Sequence, residues 1–493
     1  MNRYQKEEKG KKKINEIKIF PVPSPFPFRE NQENLSINTI SHTKPTKEQI
    51  INQAFKFHSG GNISKAAKYY QLFINEGYKD QMVFANYGVI LKDLGNLKEA
   101  ELSTRKAIEI NPNFAMAHSN MGIILRDLNK LKDAEISLHK AIKLNPDYAK
   151  AYEILGLIQL EKSEYELALK CFSESARLLN GKKNKESDKK RFKNISEAKI
   201  QHDIEQFEYL ASQGYETKKF TDLADLYKKI ASTVNWPSQS QLINLSDKTQ
   251  SLIKDSYNCL IHQIEAPKLK EKVVNNSLNV EKITNDYFDH EFGLTYIDNF
   301  LNPQAIKALR KFLLESTIWF NVKKDGYLGA FLREGFANPL IFQIAEELRK
   351  KFPKIFKDYP INHIWAFKYD SRAKNDDSSL KGINVHADFA AVNVNFWITP
   401  KEANLNPKSG GLIVYDVEAP KEWDFKTYNN DEQKIRKELE KSKGNTKVIP
   451  YNENRAVIFN SNLFHETDNY EFQEGYVNRR INITMLFGRR EER

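Results

Sequence analysis

The sequence predicts a multidomain α + β protein: an N-terminal α-solenoid, a helical connector, and a C-terminal antiparallel double-sheet barrel of the jelly-roll type with flanking helices. Three observations predict this fold class. Helical segments repeat every 34 residues in the N-terminal part, helical periodicity without that repeat follows, and short strand-like segments separated by turn residues fill the rest. The predicted boundaries are 1–45 for a tail, 46–182 for the repeats, 183–284 for the lysine-rich linker and connector, and 285–493 for the barrel.

Composition sets the first limits on function. The chain has 493 residues, of which 40% are hydrophobic, as is ordinary for globular proteins. Cys171 and Cys259 lie far apart and outside any CxxC or Cys/His zinc spacing, which disfavours disulfides and structural zinc and favours a reducing cytoplasm. No apolar run approaches the roughly 20 residues of a membrane helix, so we expect no membrane association.

The formal net charge of +11 raises the question of nucleic-acid binding. The lysines, however, are spread through a basic, proline-punctuated tail (1–45), the repeats and the linker GKKNKESDKKRFK (181–193). No clustered basic and aromatic module accompanies them. We therefore interpret them as solvated surface residues and expect no nucleic-acid partner.

The repeated units carry small residues at two fixed positions. The first position holds Ala54, Gly88, Gly122 and Gly156, and the second, twelve residues on, holds Ala66, Ala100, Ala134 and Ala168. Pro112 and Pro146 close two of the units. This pattern resembles the tetratricopeptide repeat (TPR) over about residues 47–182, which implies stacked helix hairpins with a concave face that binds a protein or peptide. The alternative is that these helices only support the rest of the molecule.

An asparagine stands two residues before the first small position in three units, at Asn52, Asn86 and Asn120, whereas the fourth unit has Ile154. In TPR proteins this position faces the groove. A carboxamide both donates and accepts, so it pairs with a peptide group whatever the side chain. The resemblance therefore implies a partner-binding asparagine ladder; alternatively, these residues bond to neighbouring helices.

Helical periodicity continues after the linker. The segments HDIEQFEYLASQG and FTDLADLYKKIASTV predict two helices, with Gly214 ending the first, and SLIKDSYNCLIHQI predicts a third. Residues 285 onwards begin with a short strand, followed by a helix that Asn302 caps and Pro303 enters. Further strands are predicted at 363–369, 392–397, 411–417, 455–460 and 480–488.

A metal site is indicated by INVHADFAAVNVNFWITP, residues 383–400. His386 and Asp388 are two residues apart and so share one face of an extended segment. Non-haem iron(II) enzymes use two histidines and one carboxylate on one face of an octahedron. His465, 77 residues after Asp388 in SNLFHETDNY, is the candidate third ligand. His290 and His363 lack partners at ligand spacing and are interpreted as structural.

A carboxylate-binding face is indicated by YVNRRINITMLFG near the C-terminus. Arg480, Asn482 and Thr484 alternate onto one side of the predicted strand. An arginine there could clamp a dicarboxylate through two charge-assisted bonds, and Thr484 could add a hydroxyl.

The motifs HAD, SGGL, NRAVIFNSNLFHET and RRINITMLF, in this order, resemble the iron(II)- and 2-oxoglutarate-dependent dioxygenases, within them the prolyl 4-hydroxylase-like group, over about residues 285–493. The resemblance implies iron(II) bound by His386, Asp388 and His465. It implies 2-oxoglutarate as cosubstrate and dioxygen as oxidant, with ascorbate as a candidate reductant.

The same resemblance assigns the 2-oxoglutarate carboxylate to Arg480 rather than Arg479, because the family places its basic residue four before a threonine. Tyr369, on the preceding strand, matches a tyrosine that binds the same carboxylate. Collagen-type prolyl hydroxylases usually carry lysine in place of Arg480, so the substrate does not transfer. Retention of Asp388 favours hydroxylation over halogenation.

Three interpretations of function remain open. In the first, the chain hydroxylates a protein or peptide side chain that the repeats bind. In the second, it is a TPR interaction scaffold whose barrel is non-catalytic. In the third, the barrel acts on a small molecule. The charged 418–447 segment, which interrupts the barrel between two strands, is predicted to be a lid or binding loop, with inert decoration as the alternative.

Overall fold

A computed structural model describes residues 45–181, 191–237, 241–323, 326–371, 382–442 and 444–490. The chain divides into two compact units, Met1–Leu144 and Asn145–Arg493. The predicted tail falls almost wholly outside the described residues, as does most of the predicted linker. The predicted domain boundaries come from the sequence repeats and not from a division into compact units, so they stay predictions.

The described part of the N-terminal unit consists of helices that pair consecutively as hairpins. Their bounds are α1 Lys47–Ser59, α2 Ile63–Asn75, α3 Gln81–Asp93, α4 Leu97–Ile110, α5 Ala115–Asp127 and α6 Leu131–Leu144. Thr46 caps the first helix: its hydroxyl accepts from Gln49 N while the Gln49 side chain accepts from Thr46 N. This reciprocal capping satisfies two amide groups that the helix itself leaves unpaired.

The small positions of the repeats lie where paired helices approach most closely. A Cβ added to Gly88 would lie 2.2 Å from Thr104 Oγ1, and one added to Gly122 would lie 2.5 Å from Leu138 Cγ. Ala100 and Ala134 are completely buried. The helical solenoid predicted from the 34-residue period is therefore confirmed.

The C-terminal unit begins with a fourth hairpin and continues with the connector helices. The described helices are α7 Ala149–Glu161, α8 Tyr165–Asn180, α9 Glu197–Ser212, α10 Thr217–Thr233, α11 Asp247–Ile253, α12 Val280–Asp289, α13 Pro303–Glu315, α14 Pro339–Lys351, α15 Pro353–Phe356, α16 Phe425–Asn430 and α17 Glu432–Ser442. Gly214 follows α9 with a φ of 84°, and the Asn302 side chain caps α13 by accepting from Ala305 N. The helix predicted through residues 251–264 is wrong beyond Ile253, where α11 ends.

Two antiparallel sheets complete this unit. The strands are β1 Leu294–Ile297, β2 Asn321–Val322, β3 Leu328–Phe331, β4 Ile361–Tyr369, β5 Val392–Trp397, β6 Leu412–Glu418, β7 Thr446–Ile449, β8 Ala456–Asn460, β9 Leu463–Thr467 and β10 Arg480–Phe487. The larger sheet has the order β1-β8-β5-β10-β4-β3-β2, and the smaller one β7-β6-β9. A C-terminal region of antiparallel strands is thus confirmed, while its closure as a jelly roll stays a prediction.

Strand β10 lies at the centre of the larger sheet, between β5 and β4, and all eight of its residues are buried. Its register sets Arg480 opposite Tyr369 on β4 and Thr484 opposite Asn395 on β5. Because a strand sends alternate side chains to opposite faces, Arg480, Asn482 and Thr484 share one face. This placement makes the inner face of the sheet polar at its centre.

Candidate metal centre

His386, Asp388 and His465 meet at one point. Each offers one ligand atom, and these atoms all lie within 4.8 Å of one another. The backbones of the two histidines are paired: His386 N donates to His465 O at 3.0 Å, and His465 N donates to His386 O at 2.8 Å. Residues 385–389 and strand β9 are thus joined by an antiparallel bridge at His386 and His465; these two segments, here called the ligand ribbon, carry all three side chains.

Hydrogen bonds fix the orientation of both imidazole rings. His386 Nδ1 lies 2.8 Å from Asn384 O, and His465 Nδ1 lies 3.0 Å from Leu463 O. A carbonyl oxygen only accepts, so each Nδ1 carries a proton and Nε2 is the atom left to bind a metal. The two Nε2 atoms face Asp388, at 3.9 Å from Oδ1 for His386 and 3.6 Å from Oδ2 for His465. This tautomer is the one that metal-binding histidines need.

Two of the three residues, Asp388 and His465, are buried, and burial sets their electrostatics. Asp388 is 4% exposed and His465 3%. Burial raises the pKa of Asp388, although His386 and a 2.5 Å bond from Asn393 Nδ2 to Asp388 Oδ2 oppose the shift. Burial also lowers the pKa of His465 well below its ordinary value, and His386 adds to this. Two imidazoles and one carboxylate at this separation are the donor set of non-haem iron(II), so the residues present fit the metal.

Arg480 forms the second half of the site and is buried with neutral partners. Its Nε donates to Gly410 O at 2.7 Å and its Nη2 to Gly411 O at 3.1 Å, while Nη1 donates to Asn482 Oδ1 at 3.3 Å. No carboxylate of the described residues forms an ion pair with it. A buried guanidinium without an ion pair is costly, and a bound carboxylate would lower that cost.

Tyr369 and Thr484 flank this guanidinium from two strands. The Tyr369 ring centre lies 4.7 Å from the guanidinium carbon, and its side chain hydrogen-bonds to Arg480 and Thr467. Burial raises the pKa of Tyr369, which keeps its hydroxyl protonated. Thr484 Oγ1 donates to Asn395 Oδ1 at 2.7 Å. Tyr369 therefore lies beside Arg480, and carboxylate binding by Tyr369 stays a prediction, whereas the Thr484 hydroxyl donates to a residue of the neighbouring strand β5.

A row of asparagines, to which the sequence pattern assigned no role, joins the two halves of the site. Asn393, which bonds Asp388, accepts from Asn395 Nδ2 at 2.8 Å, and Asn395 in turn accepts from Thr484. Asn482 links this row to Arg480. The available indication was the alternation within β5, which sets two asparagines on one face of a strand whose six residues are all buried.

Arg479, the alternative to Arg480, lies on the opposite face of β10. Its Nη1 lies 2.7 Å from Asp370 Oδ2 and its Nη2 lies 2.8 Å from Glu205 Oε2. Both arms of its guanidinium are already paired with carboxylates of the protein. His290 lies 3.2 Å from Asp416 Oδ1, away from the ligand ribbon's three side chains.

The three asparagines of the predicted ladder differ in their surroundings. Asn52 is exposed. Asn86 is half-buried and hydrogen-bonds to Tyr70. Asn120 is 9% exposed and donates from Nδ2 to Ala85 O of the preceding hairpin at 3.4 Å. Two of the three carboxamides are thus engaged inside the repeats, and partner binding by the ladder stays a prediction.

The family model of the tetratricopeptide repeat matches residues 83–114 and 117–148. The helices α3 to α6, which these ranges cover almost entirely, are therefore tetratricopeptide repeats. No curated protein is similar enough to match. Among the described residues, no helix is both long and apolar enough to cross a membrane.

Several solved structures show a limited likeness. A mutant O-GlcNAc transferase of Thermobaculum terrenum is 21% identical over 27% of each chain, with a TM-score of 0.25. MamA of Desulfovibrio magneticus is 18% identical over 38% of this chain and 93% of its own, with a TM-score of 0.25. YrrB, a TPR protein with an unusual peptide-binding site, is 19% identical over 27% of this chain and 68% of its own, with a TM-score of 0.25. The chain spans about a quarter of the transferase. TM-scores of this size carry no argument about function.

Proposed function

We propose that the C-terminal unit is an iron(II)- and 2-oxoglutarate-dependent dioxygenase with a double-stranded β-helix barrel, similar to the prolyl 4-hydroxylase-like group. One observation carries the proposal: two histidines and an aspartate from distant parts of the chain converge within 4.8 Å. The buried Arg480, which has no ion-pair partner among the described residues, supports 2-oxoglutarate as the cosubstrate.

In this proposal iron(II), 2-oxoglutarate and dioxygen together supply the oxidising chemistry that hydroxylates an unactivated C–H bond. The protein binds and orients them. His386, Asp388 and His465 would hold the metal through atoms whose orientation is already fixed. Arg480 would pair with the distal carboxylate of 2-oxoglutarate, and the Tyr369 hydroxyl would donate a further hydrogen bond. Asp388, His465, Arg480 and Tyr369 are buried, and the low dielectric of a buried site would strengthen each of these contacts.

Metal content and succinate release test the proposal together. The purified chain should bind one iron(II) and convert 2-oxoglutarate to succinate. His465→Ala removes one of three ligands, so metal affinity should fall by more than about 100-fold, above the range for outer-sphere partners, and succinate release should be lost. His290→Ala, outside the triad, is the matched control and should keep both properties.

The result that contradicts the metal assignment is normal iron content and turnover in His465→Ala. Iron binding without any succinate release from the wild-type chain would leave the metal site but reject 2-oxoglutarate as cosubstrate. Far-ultraviolet circular dichroism of both variants shows whether the fold survives each substitution.

The proposed substrate is a protein or peptide side chain, with the repeats holding the substrate or a partner. The tetratricopeptide repeats support this choice, since repeats of this kind indicate a protein-interaction scaffold. The same observation also favours a second candidate function, in which the chain is a scaffold whose barrel is non-catalytic or acts on a small molecule. Mass spectrometry of cell proteins, comparing cells with and without the chain, separates them: gains of one oxygen on a protein support the first candidate.

A further inference from the structure

We propose that the 418–447 segment is a splint that positions the metal ligands, with Arg436 and Asn429 as its positioning residues; this inference rests on the proposed metal site. The segment runs from the last residue of β6 to the first residues of β7. It contains the two helices α16 and α17. Its contacts fall on both strands of the ligand ribbon, on the face opposite the three ligands.

The first contact is to the strand that carries His386 and Asp388. Ala387, the residue between them, donates from its N–H to Tyr428 O at 2.9 Å. Asn429 Nδ2 donates to Ala387 O, also at 2.9 Å. Both polar groups of that peptide position are therefore held by α16, which fixes the backbone from which the two ligands project.

The second contact is to the strand that carries His465. Arg436 on α17 pairs with Glu466, the next residue, through two bonds: Nη1 to Oε1 at 2.9 Å and Nη2 to Oε2 at 2.5 Å. The Tyr415 hydroxyl hydrogen-bonds to the same carboxylate and accepts from Arg436 Nη1. A bidentate pair of this kind defines orientation as well as distance.

Apolar packing joins the two contacts. Residues of the segment, residues on the outer face of the ribbon and Val417 of β6 share one buried cluster, comprising Val385, Ala387, Val417, Ala419, Tyr428, Ile435 and Phe464. Because side chains alternate along a strand, Ala387 and Phe464 point away from the metal side while His386, Asp388 and His465 point towards it. The segment thus covers the outer face of the ligand ribbon and leaves its inner face to the ligands.

The test uses the full chain freed of metal, with Co(II) as the probe, because its visible absorption reports ligand geometry. Arg436→Ala and Asn429→Ala should each weaken Co(II) binding by roughly 10-fold, the lower end of the effect of outer-sphere partners, and change the visible spectrum. Arg436→Lys should restore part of the affinity. Lys437→Ala removes a charge from the exposed side of the same helix and should change neither property.

Unchanged Co(II) affinity and spectrum in both alanine variants would overturn the inference. So would variants that melt at a lower temperature but bind Co(II) like the wild type while they are folded. If the wild-type chain binds no Co(II), both the proposed metal site and the proposed role of the segment are wrong. If it binds Co(II) but never releases succinate with iron(II), the dioxygenase proposal fails. The Co(II) affinities and spectra of the two alanine variants then still show whether the segment positions the metal ligands.

Discussion

At the scale of single residues, two adjacent arginines have different surroundings because neighbouring side chains of an extended chain point to opposite faces. Arg480 points to the inner face of β10 and finds two carbonyls and an amide. Arg479 points to the outer face and finds two carboxylates. A guanidinium already paired with two anions has little left to attract a third, whereas one held only by neutral acceptors still has its charge to offer.

Arg480→Gln should therefore raise the KM for 2-oxoglutarate without changing the iron content. Loss of a buried bidentate partner costs about 2–5 kcal/mol, which corresponds to at least roughly 30-fold in KM. Arg480→Lys keeps the charge but not the second bond and should lose less. The measurement is succinate release as a function of 2-oxoglutarate concentration.

Arg479→Gln is the matched control for this prediction. It breaks two ion pairs with Glu205 and Asp370, so it should lower the melting temperature while leaving the KM for 2-oxoglutarate near that of the wild type. The opposite pattern, with the KM raised only in Arg479→Gln, would show that Arg479 and not Arg480 binds the cosubstrate.

At the scale of elements, the outer face of β4 and β10 is joined to the connector helix α9 by a buried polar cluster. Lys368, 1% exposed, donates from Nζ to His202 Nε2 at 3.3 Å and to the Tyr476 hydroxyl at 3.0 Å. His202 Nδ1 donates to Asp203 Oδ1 at 3.0 Å, and Lys199 pairs with Asp203 at 2.5 Å. Strand β4 carries Tyr369 on its inner face, and its outer face is thus held by polar contacts with α9.

This cluster predicts a loss of stability in mild acid. Burial lowers the pKa of His202 well below its ordinary value, and Lys368 and Arg479 lower it further. The unfolded chain, with an ordinary histidine pKa of about 6.5, therefore binds an additional proton first as pH falls. The stability is present above pH 6.5 and is lost as pH falls through that value towards the folded-state pKa.

His202→Gln retains an acceptor for Lys368 but does not titrate. Between pH 7.5 and 5.5 the free energy of unfolding should fall by about 1.4 kcal/mol less in the variant than in the wild type, as expected for one proton. Urea unfolding at the two pH values measures this difference. Parallel losses in both proteins would show that His202 does not carry the acid sensitivity.

At the scale of the whole molecule, the sequence predicted what repeats or alternates along the chain. The 34-residue period predicted the contacts of Gly88 and Gly122, and alternation predicted strands such as β5 and β10. It also predicted that His386, Asp388 and His465 would meet, because ordered motifs in strand context constrain one another.

Contacts between segments distant in sequence were not predictable from pattern alone. The α9 cluster depends on Lys368 meeting His202, 166 residues away. The 418–447 segment has a charged composition typical of a surface loop, and only its packing shows Ala387 held by Tyr428. Helix α11 stops at Ile253 although apolar residues continue to about residue 264, because periodicity cannot tell a helix from an extended segment that packs its side chains elsewhere.

The last prediction concerns what the repeats do. If the asparagine ladder binds extended polypeptide, changing Asn52, Asn86 and Asn120 together to Ala should weaken binding of the polypeptide that the chain oxygenates. Iron content and the KM for 2-oxoglutarate should not change, because those properties belong to residues of the C-terminal unit. The affinity is measured by fluorescence anisotropy of a labelled substrate peptide identified by its gain of one oxygen.

The structure makes one control necessary. Asn120 donates to Ala85 O inside the solenoid, so its loss should cost about 1 kcal/mol of stability by itself, whereas the exposed Asn52 should cost almost none. Asn52→Ala alone therefore separates binding from folding: weaker peptide binding at an unchanged melting temperature supports the ladder. Wild-type peptide affinity in a folded triple variant would show that these asparagines only join neighbouring helices, and the search for the peptide-binding residues would move to other side chains of the repeats.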